Sequence, residues 1–191
     1  MRATVERVRR DKNGGTYFLT LKIRAPRPRT HTYRVSASLY AEAGCPAEGE
    51  TLEGDTLSLL TEGEERALAV KRAVEILAYG DESCAALTRK LRERGFSPEA
   101  AAHAVSLMKE KGYIREEALL LRQISLYGKK KWGPKRILLA LLRKGFPCES
   151  IRDALAQAKR EGLYDDTAIR AALTEGLSEE DARILLKKQG F

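Results

Sequence analysis

The sequence has 191 residues, of which 43% are hydrophobic, and its formal net charge at pH 7 is +8. This length suits one domain or two small ones, and the hydrophobic content excludes a fibrous or disordered chain. The longest apolar run, residues 137–142, is far shorter than the ~20 residues of a membrane-spanning helix, and the polar N-terminus has no signal-peptide pattern. We therefore expect a cytoplasmic protein with no membrane contact.

The positive charge is concentrated in one segment. Residues 119–160 contain 11 Lys and Arg against 2 Asp and Glu, whereas residues 1–63, 64–118 and 161–191 have net charges of +2, 0 and −3. An excess that is confined to one segment indicates an anionic partner, such as a nucleic-acid backbone or an acidic protein surface.

Residues 1–63 are predicted to form a small β-rich domain. Four stretches are expected in its sheet because apolar residues recur there at every second position or follow turn signals: residues 3–10, 17–23, 30–36 and 56–60. The first two are joined by a loop with two glycines, and a loop with Pro26 and Pro28 precedes the third. A short helical turn is predicted at residues 38–43.

From Glu64 onward the apolar residues follow the period of an α-helix. Helices are predicted over residues 64–79, 83–94, 97–111, 116–127 and 134–144. Pro134 suits the first turn of the last of these helices, and Gly145 suits a left-handed residue at its end.

These helices belong to an internal repeat. Residues 87–96 align without a gap with residues 137–146, and the same offset of 50 places Gly112 on Gly162. The preceding Tyr79 aligns with Tyr127 at an offset of 48, so the loop of the second repeat is two residues longer. The sequence predicts three-helix repeats at residues 64–115 and 116–165, and a shortened third repeat at residues 166–191.

Short helices of this kind are stable only when their apolar faces pack together. The predicted core positions are Leu87, Leu91, Phe96, Val105 and Met108 in the first repeat, and Ile137, Leu141, Phe146, Leu155 and Ala158 in the second. The fold class is therefore mainly α: tandem three-helix repeats in an elongated body, preceded by the β-rich domain. Such a body is suited to a long or polymeric partner.

We find no sign of an enzyme in the sequence, which lacks the GxSxG, HExxH and P-loop motifs. The three cysteines are too widely spaced for a CxxC motif, and His31 and His103 have no metal-ligand spacing. Asp165 and Asp166 directly precede a predicted helix, where we expect them to cap its N-terminus. We expect no catalytic residue, no metal and no cofactor.

The candidate site lies where the longer loop of the second repeat enters the apolar helix 134–144. Its residues are Lys129, Lys130, Lys131, Trp132, Lys135, Arg136, Arg143 and Lys144. The cations could bind phosphates. The single tryptophan has two interpretations: a flat face for a base or partner side chain, or a side chain packed into the core.

In its repeats and motifs the chain resembles the RecX family of regulators of the RecA recombinase. The resemblance covers about residues 66–166 and is carried by the segments KLRERGF (90–96), KGYI (111–114), GPKRI (133–137), RKGF (143–146) and GLYDD (162–166). It implies a non-enzymatic protein that binds RecA–DNA filaments along their helical groove, and we expect this protein to be a monomer. Such a protein inhibits ATP hydrolysis, strand exchange and co-protease activity in homologous recombination and the SOS response of DNA repair.

Two other functions remain open at this point. The basic segment would also suit a general DNA-binding protein, which binds single- or double-stranded DNA without RecA. The helical repeats would also suit a scaffold for another acidic protein.

Overall fold

The computed structural model describes residues 2–24 and 27–191. In chain order its strands and helices are β1 (Arg2–Arg10), β2 (Thr16–Arg24), β3 (Arg29–Ser36), α1 (Ala37–Glu42), β4 (Thr51–Glu53), α2 (Asp55–Tyr79), α3 (Cys84–Arg92), α4 (Pro98–Glu110), α5 (Glu116–Lys129), α6 (Pro134–Arg143), α7 (Cys148–Arg160), α8 (Asp166–Thr174) and α9 (Glu179–Gln189). The predicted fold class, mainly α with a small N-terminal sheet, is confirmed. Among the described residues, no helix combines the length and apolar character needed to cross a membrane.

The described residues form two compact units. The first contains the described part of Met1–Arg72 together with Arg94–Ala104, and the second contains Ala73–Glu93 and Val105–Phe191. The division predicted from the sequence, at residues 63, 115 and 165, stays a prediction.

The sheet of the first unit is antiparallel, with the strand order β3-β2-β1-β4. Its alternating apolar residues point to one face, where Val5, Leu19 and Leu21 are almost fully buried with Leu57 and Leu60 of α2. The predicted strands 3–10, 17–23 and 30–36 are confirmed as β1, β2 and β3. Pro26, in the predicted loop before β3, lies outside the described residues.

The prediction of a strand at residues 56–60 is wrong. The fourth strand is the shorter segment β4, which pairs with β1, and residues 56–60 belong to α2. Leu57 and Leu60 are three residues apart, which is a helical spacing. The helix therefore begins before Glu64, and Gly63 lies inside it. A Cβ at Gly63 would lie 2.1 Å from a methyl group of Leu39 in α1, so the glycine allows the close approach of the two helices.

The second unit contains α3, α5, α6, α7, α8 and α9, together with the C-terminal parts of α2 and α4. Ile137 and Leu141 of α6 are fully buried with Ile124 of α5 and Ile151 of α7. The predicted core residues are buried with one exception, since Phe96 is only half-buried.

The second helices of the repeats, α3, α6 and α9, meet end to end. The Ser83 hydroxyl before α3 donates to the carbonyl of Lys144 at the end of α6 (3.0 Å). In the same way, the amide of Gly133 before α6 donates to the carbonyl of Gln189 at the end of α9 (2.7 Å). In the second contact a C-terminal carbonyl satisfies a backbone N–H group at a helix N-terminus, and in the first it accepts from the hydroxyl that caps α3.

Candidate functional site around Trp132

The loop between α5 and α6 folds back tightly on the end of α5. The Tyr127 carbonyl accepts hydrogen bonds from the amides of Lys130 (3.1 Å) and Trp132 (3.2 Å), and the Gly128 carbonyl accepts one from Lys131 (2.8 Å). Lys131 has a left-handed backbone with φ of 57°, a conformation that costs a non-glycine residue about 1 kcal/mol. The sequence thus keeps a lysine at a position where glycine is favoured.

The Trp132 ring stacks on the Tyr127 ring with a centroid distance of 4.6 Å and an interplanar angle of 4°. This stack explains a difference between the repeats. Tyr127 is 8% exposed, whereas Tyr79, its counterpart in the first repeat, is 95% exposed. The extra loop residues therefore bring an aromatic ring over a tyrosine that would otherwise face solvent.

The other face of Trp132 is covered by Arg136. The guanidinium carbon lies 4.1 Å from the indole centroid, and because Tyr127 occupies one face, Arg136 must occupy the opposite face. The Arg136 Nη1 atom also donates to Oε1 of Gln189 at 2.6 Å. A base cannot stack on Trp132 while Arg136 stays in place, so the indole orients the guanidinium.

The start of α6 is held by the end of α9. The Lys135 amide donates to the Gly190 carbonyl (3.0 Å), and the Lys135 ammonium donates to the Phe191 carbonyl (3.2 Å). A Cβ on Gly190 would lie 2.6 Å from the backbone nitrogen of Arg136. The carbonyl oxygens of α9 thus lie beside the N-terminus of α6, which carries Lys135 and Arg136. Their partial negative charge reduces the unfavourable interaction of these two cations with the helix dipole.

Lys144, at the other end of α6, joins the same cluster. Its ammonium lies 5.6 Å from the Tyr127 centroid and donates to Oε1 of Gln123 (2.7 Å). Lys130 approaches the Trp132 ring at 6.0 Å. The aromatic pair is therefore surrounded by three cations, Lys130, Arg136 and Lys144.

The cations of the candidate site have no acidic side-chain partners among the described residues. Within the described part of the chain, Lys129, Lys130, Lys131, Lys135, Arg136, Arg143 and Lys144 form no ion pair, and the contacts above involve amides, carbonyls and aromatic rings. In the first repeat, by contrast, Lys90 pairs with Glu82, and Arg89 lies 3.7 Å from Glu93.

The buried Tyr164 holds the loop between α5 and α6 in place. The Tyr164 hydroxyl donates to the Trp132 carbonyl at 3.0 Å. Burial, with a smaller effect of Asp166, raises the pKa of Tyr164 far above its usual value, so the hydroxyl keeps its proton. A Cβ on Gly128 would lie 3.0 Å from the Tyr164 ring, so this glycine permits the close contact.

The structure places the predicted residues in three different surroundings. Lys130, Trp132, Arg136 and Lys144 meet around Tyr127, and Lys135 is held at the end of α9. Lys129, Lys131 and Arg143 are exposed, and the described contacts do not link their side chains to the aromatic pair. Sequence reasoning missed the roles of Tyr127, Tyr164 and Gln189.

The carboxylates act at helix ends. Asp165 accepts hydrogen bonds from the amides of Thr167 and Ala168 (both 2.9 Å), which confirms its predicted capping role. Asp166 forms an ion pair with Lys159 at 2.8 Å instead. Glu116 caps a neighbouring helix, because it accepts from the Cys84 amide at the start of α3 (2.8 Å). Burial and this nearby carboxylate raise the pKa of the Cys84 thiol.

The fold and the site describe an α-helical repeat protein with an N-terminal sheet and a basic, aromatic-centred surface. No family model and no curated protein matches the chain. Among solved structures, it is similar to a crystal structure of regulatory protein RecX, with a TM-score of 0.68 and 18% identity, over 99% of this chain and 94% of that one. The chain therefore has the RecX fold.

A second similar structure is RecX from Lactobacillus salivarius, with a TM-score of 0.47 and 16% identity, over 66% of this chain and 97% of that one.

Proposed function

We propose that this protein is a non-enzymatic, cytoplasmic regulator that binds RecA–DNA filaments as a monomer and inhibits ATP hydrolysis and strand exchange. The observation that carries the proposal is a set of seven cations without acidic partners in the second repeat, together with the likeness in fold to a regulatory protein. We name these cations and Trp132 the basic surface; its residues are Lys129, Lys130, Lys131, Trp132, Lys135, Arg136, Arg143 and Lys144.

The geometry supports binding to phosphates of a filament more than enclosure of a small ligand. Lys129, Lys130 and Lys131 are exposed at one end of α6, and Arg143 and Lys144 are exposed at the other. The ten residues of α6 span about 15 Å, so the cations cover several phosphates of a nucleic-acid strand.

The same cations favour one alternative, a DNA-binding protein that needs no RecA. Affinity would be measured by anisotropy for three partners: RecA assembled on single-stranded DNA, RecA alone and bare single-stranded DNA. The proposal predicts binding to the assembled filament that is at least tenfold tighter than binding to bare DNA. Equal affinity for filament and bare DNA would favour the alternative and contradict the proposal.

A further inference from the structure

The solvent face of the N-terminal sheet carries an aromatic residue between two arginines. The strand register places Arg9 of β1, Phe18 of β2 and Arg34 of β3 in one row across the sheet. These residues alternate with Val8, Leu19 and Val35, whose side chains point to the core face. Neighbouring strands lie about 4.8 Å apart, so the two arginines flank Phe18 about 10 Å from each other.

The neighbouring rows of this face are polar or basic. Arg7, Thr20 and Thr32 form the next row, in which the two threonine hydroxyls lie 3.1 Å apart. Beyond that row lie Lys22 and then Arg24. Arg7 and Arg9 are about 7 Å apart along β1, because a strand rises about 3.4 Å per residue.

The charge on this face is unbalanced although residues 1–63 are nearly neutral. Its two acids are already paired, Glu53 with Arg2 at 2.7 Å and Glu6 with Lys22 at 3.7 Å. Within the described residues, no ion pair involves the exposed side chains of Arg7, Arg9, Arg24 or Arg34. The face therefore presents four uncompensated positive charges.

Phe18 lies on the solvent face, although packing of the core does not need a ring there. It is half-buried between its neighbours, and the Arg9 guanidinium carbon lies 5.7 Å from its centroid. A flat ring beside cations is the arrangement on which single-stranded nucleic acids bind, because bases stack on the ring and phosphates meet the cations.

We propose that this sheet face is a second nucleic-acid site and binds single-stranded nucleic acid. A base stacks on the face of Phe18 that Arg9 does not cover, and Arg7, Arg9, Arg24 and Arg34 contact the phosphates on either side of it. Duplex DNA does not fit the site, because its bases are already stacked and paired. The inference does not rest on the proposed function, since its residues are separate from the basic surface.

The test uses the full chain, with anisotropy of a short labelled oligo(dT) as the readout. One variant replaces the charges, Arg9→Gln with Arg34→Gln, and another replaces the ring, Phe18→Leu. The matched control is Arg10→Gln with Arg29→Gln, which removes the same charge from the same two strands on the opposite face. Each variant is also made in a Lys129→Gln, Lys130→Gln, Lys131→Gln background, so that the basic surface contributes less to the measured binding.

The charge variant should reduce the slope of log affinity against log salt by about 1.4, from two lost phosphate contacts on a single strand. Phe18→Leu should lower the affinity about 5- to 160-fold without changing that slope, because stacking is worth about 1–3 kcal/mol per base. The control should change neither quantity. Thermal unfolding checks that each variant is folded, and if Phe18→Leu does not fold, the charge variant decides the test.

Two outcomes would overturn the inference. The first is a control that reduces the salt slope as much as the charge variant does, which would mean that only the net charge matters. The second is a charge variant that loses binding to polyglutamate but keeps its affinity for oligo(dT), which would assign the face to an acidic polypeptide.

Discussion

Replacing Lys129, Lys130 and Lys131 by Gln removes three charges from the basic surface and leaves its framework in place. All three side chains are exposed, and the loop is held by backbone hydrogen bonds and by Tyr164. Gln is preferred to Gly at residue 131, where φ is positive, because glycine would remove the conformational cost that a lysine side chain carries there. Gln carries the same cost as Lys, so only the charge changes. We therefore expect an unchanged thermal midpoint.

The expected effect on binding follows from counterion release. If each lysine contacts one phosphate, their replacement makes the negative slope of log affinity against log salt shallower by about 2.1 on single-stranded DNA and by about 2.7 on duplex. Between about 50 and 200 mM salt, the first value makes the salt-induced loss of affinity about 20-fold smaller than in the unmodified protein. The assay is anisotropy of labelled DNA over this range of salt.

A matched control removes three cations elsewhere in the second unit: Lys109, Lys111 and Arg115. These side chains are also exposed, and their replacement by Gln changes the net charge equally. If the salt slope becomes shallower by the same amount in both variants, the loop lysines have no special contact with phosphate and the prediction is wrong.

Three further predictions concern the framework. Trp132→Ala removes the tyrosine stack and the support of Arg136, so the free energy of unfolding should fall by about 2–3 kcal/mol in urea titrations; unchanged stability with weakened DNA binding would instead put the indole face at the interface. Gly190→Ala should lower the free energy of unfolding by about 2–4 kcal/mol, since Gly190 has φ of 86° and touches α6. Gly162→Ala should lower it by only about 1 kcal/mol, because φ is also positive there but no atom lies within 4 Å of the added Cβ. Equal losses of stability would argue against the end-to-end contact of α9 with α6. The Glu116 carboxylate disfavours the Cys84 thiolate, so Glu116→Gln should lower the thiol pKa and speed its alkylation at pH 8; an unchanged rate would contradict this cause.

Periodicity and repeat alignment predicted the helices of the second unit well. The apolar positions of α6 recur at helical spacing, and Pro134 and Gly145 mark its two ends, so its boundaries follow from local physics. The first unit was predicted less well, because the helical pattern was recognised only from Glu64 onward, whereas α2 begins at Asp55. The role of Gly63, to let Leu39 approach α2, depends on a tertiary contact that no local pattern contains.

The composition of the candidate site could be predicted, but its arrangement could not. The excess of lysine and arginine is visible in the sequence, whereas the pairing of Trp132 with Tyr127 depends on how the loop folds back on α5. The contact of Gln189 with Arg136 joins residues 53 positions apart. One available signal was the recurrence of Gly-Phe at 95, 145 and 190, because at 145 and 190 it follows the helix ends that meet the N-termini of α3 and α6.

We propose that the basic surface is the part of the protein that inhibits a RecA filament. The most direct measurement is the rate of ATP hydrolysis by RecA on single-stranded DNA as this protein is titrated in, with the Lys129, Lys130 and Lys131 variant and its matched control compared side by side. We expect the unmodified protein and the control to reduce the rate at similar concentrations, and the loop variant to need at least tenfold more protein. An unchanged RecA turnover at saturating unmodified protein would contradict the proposal.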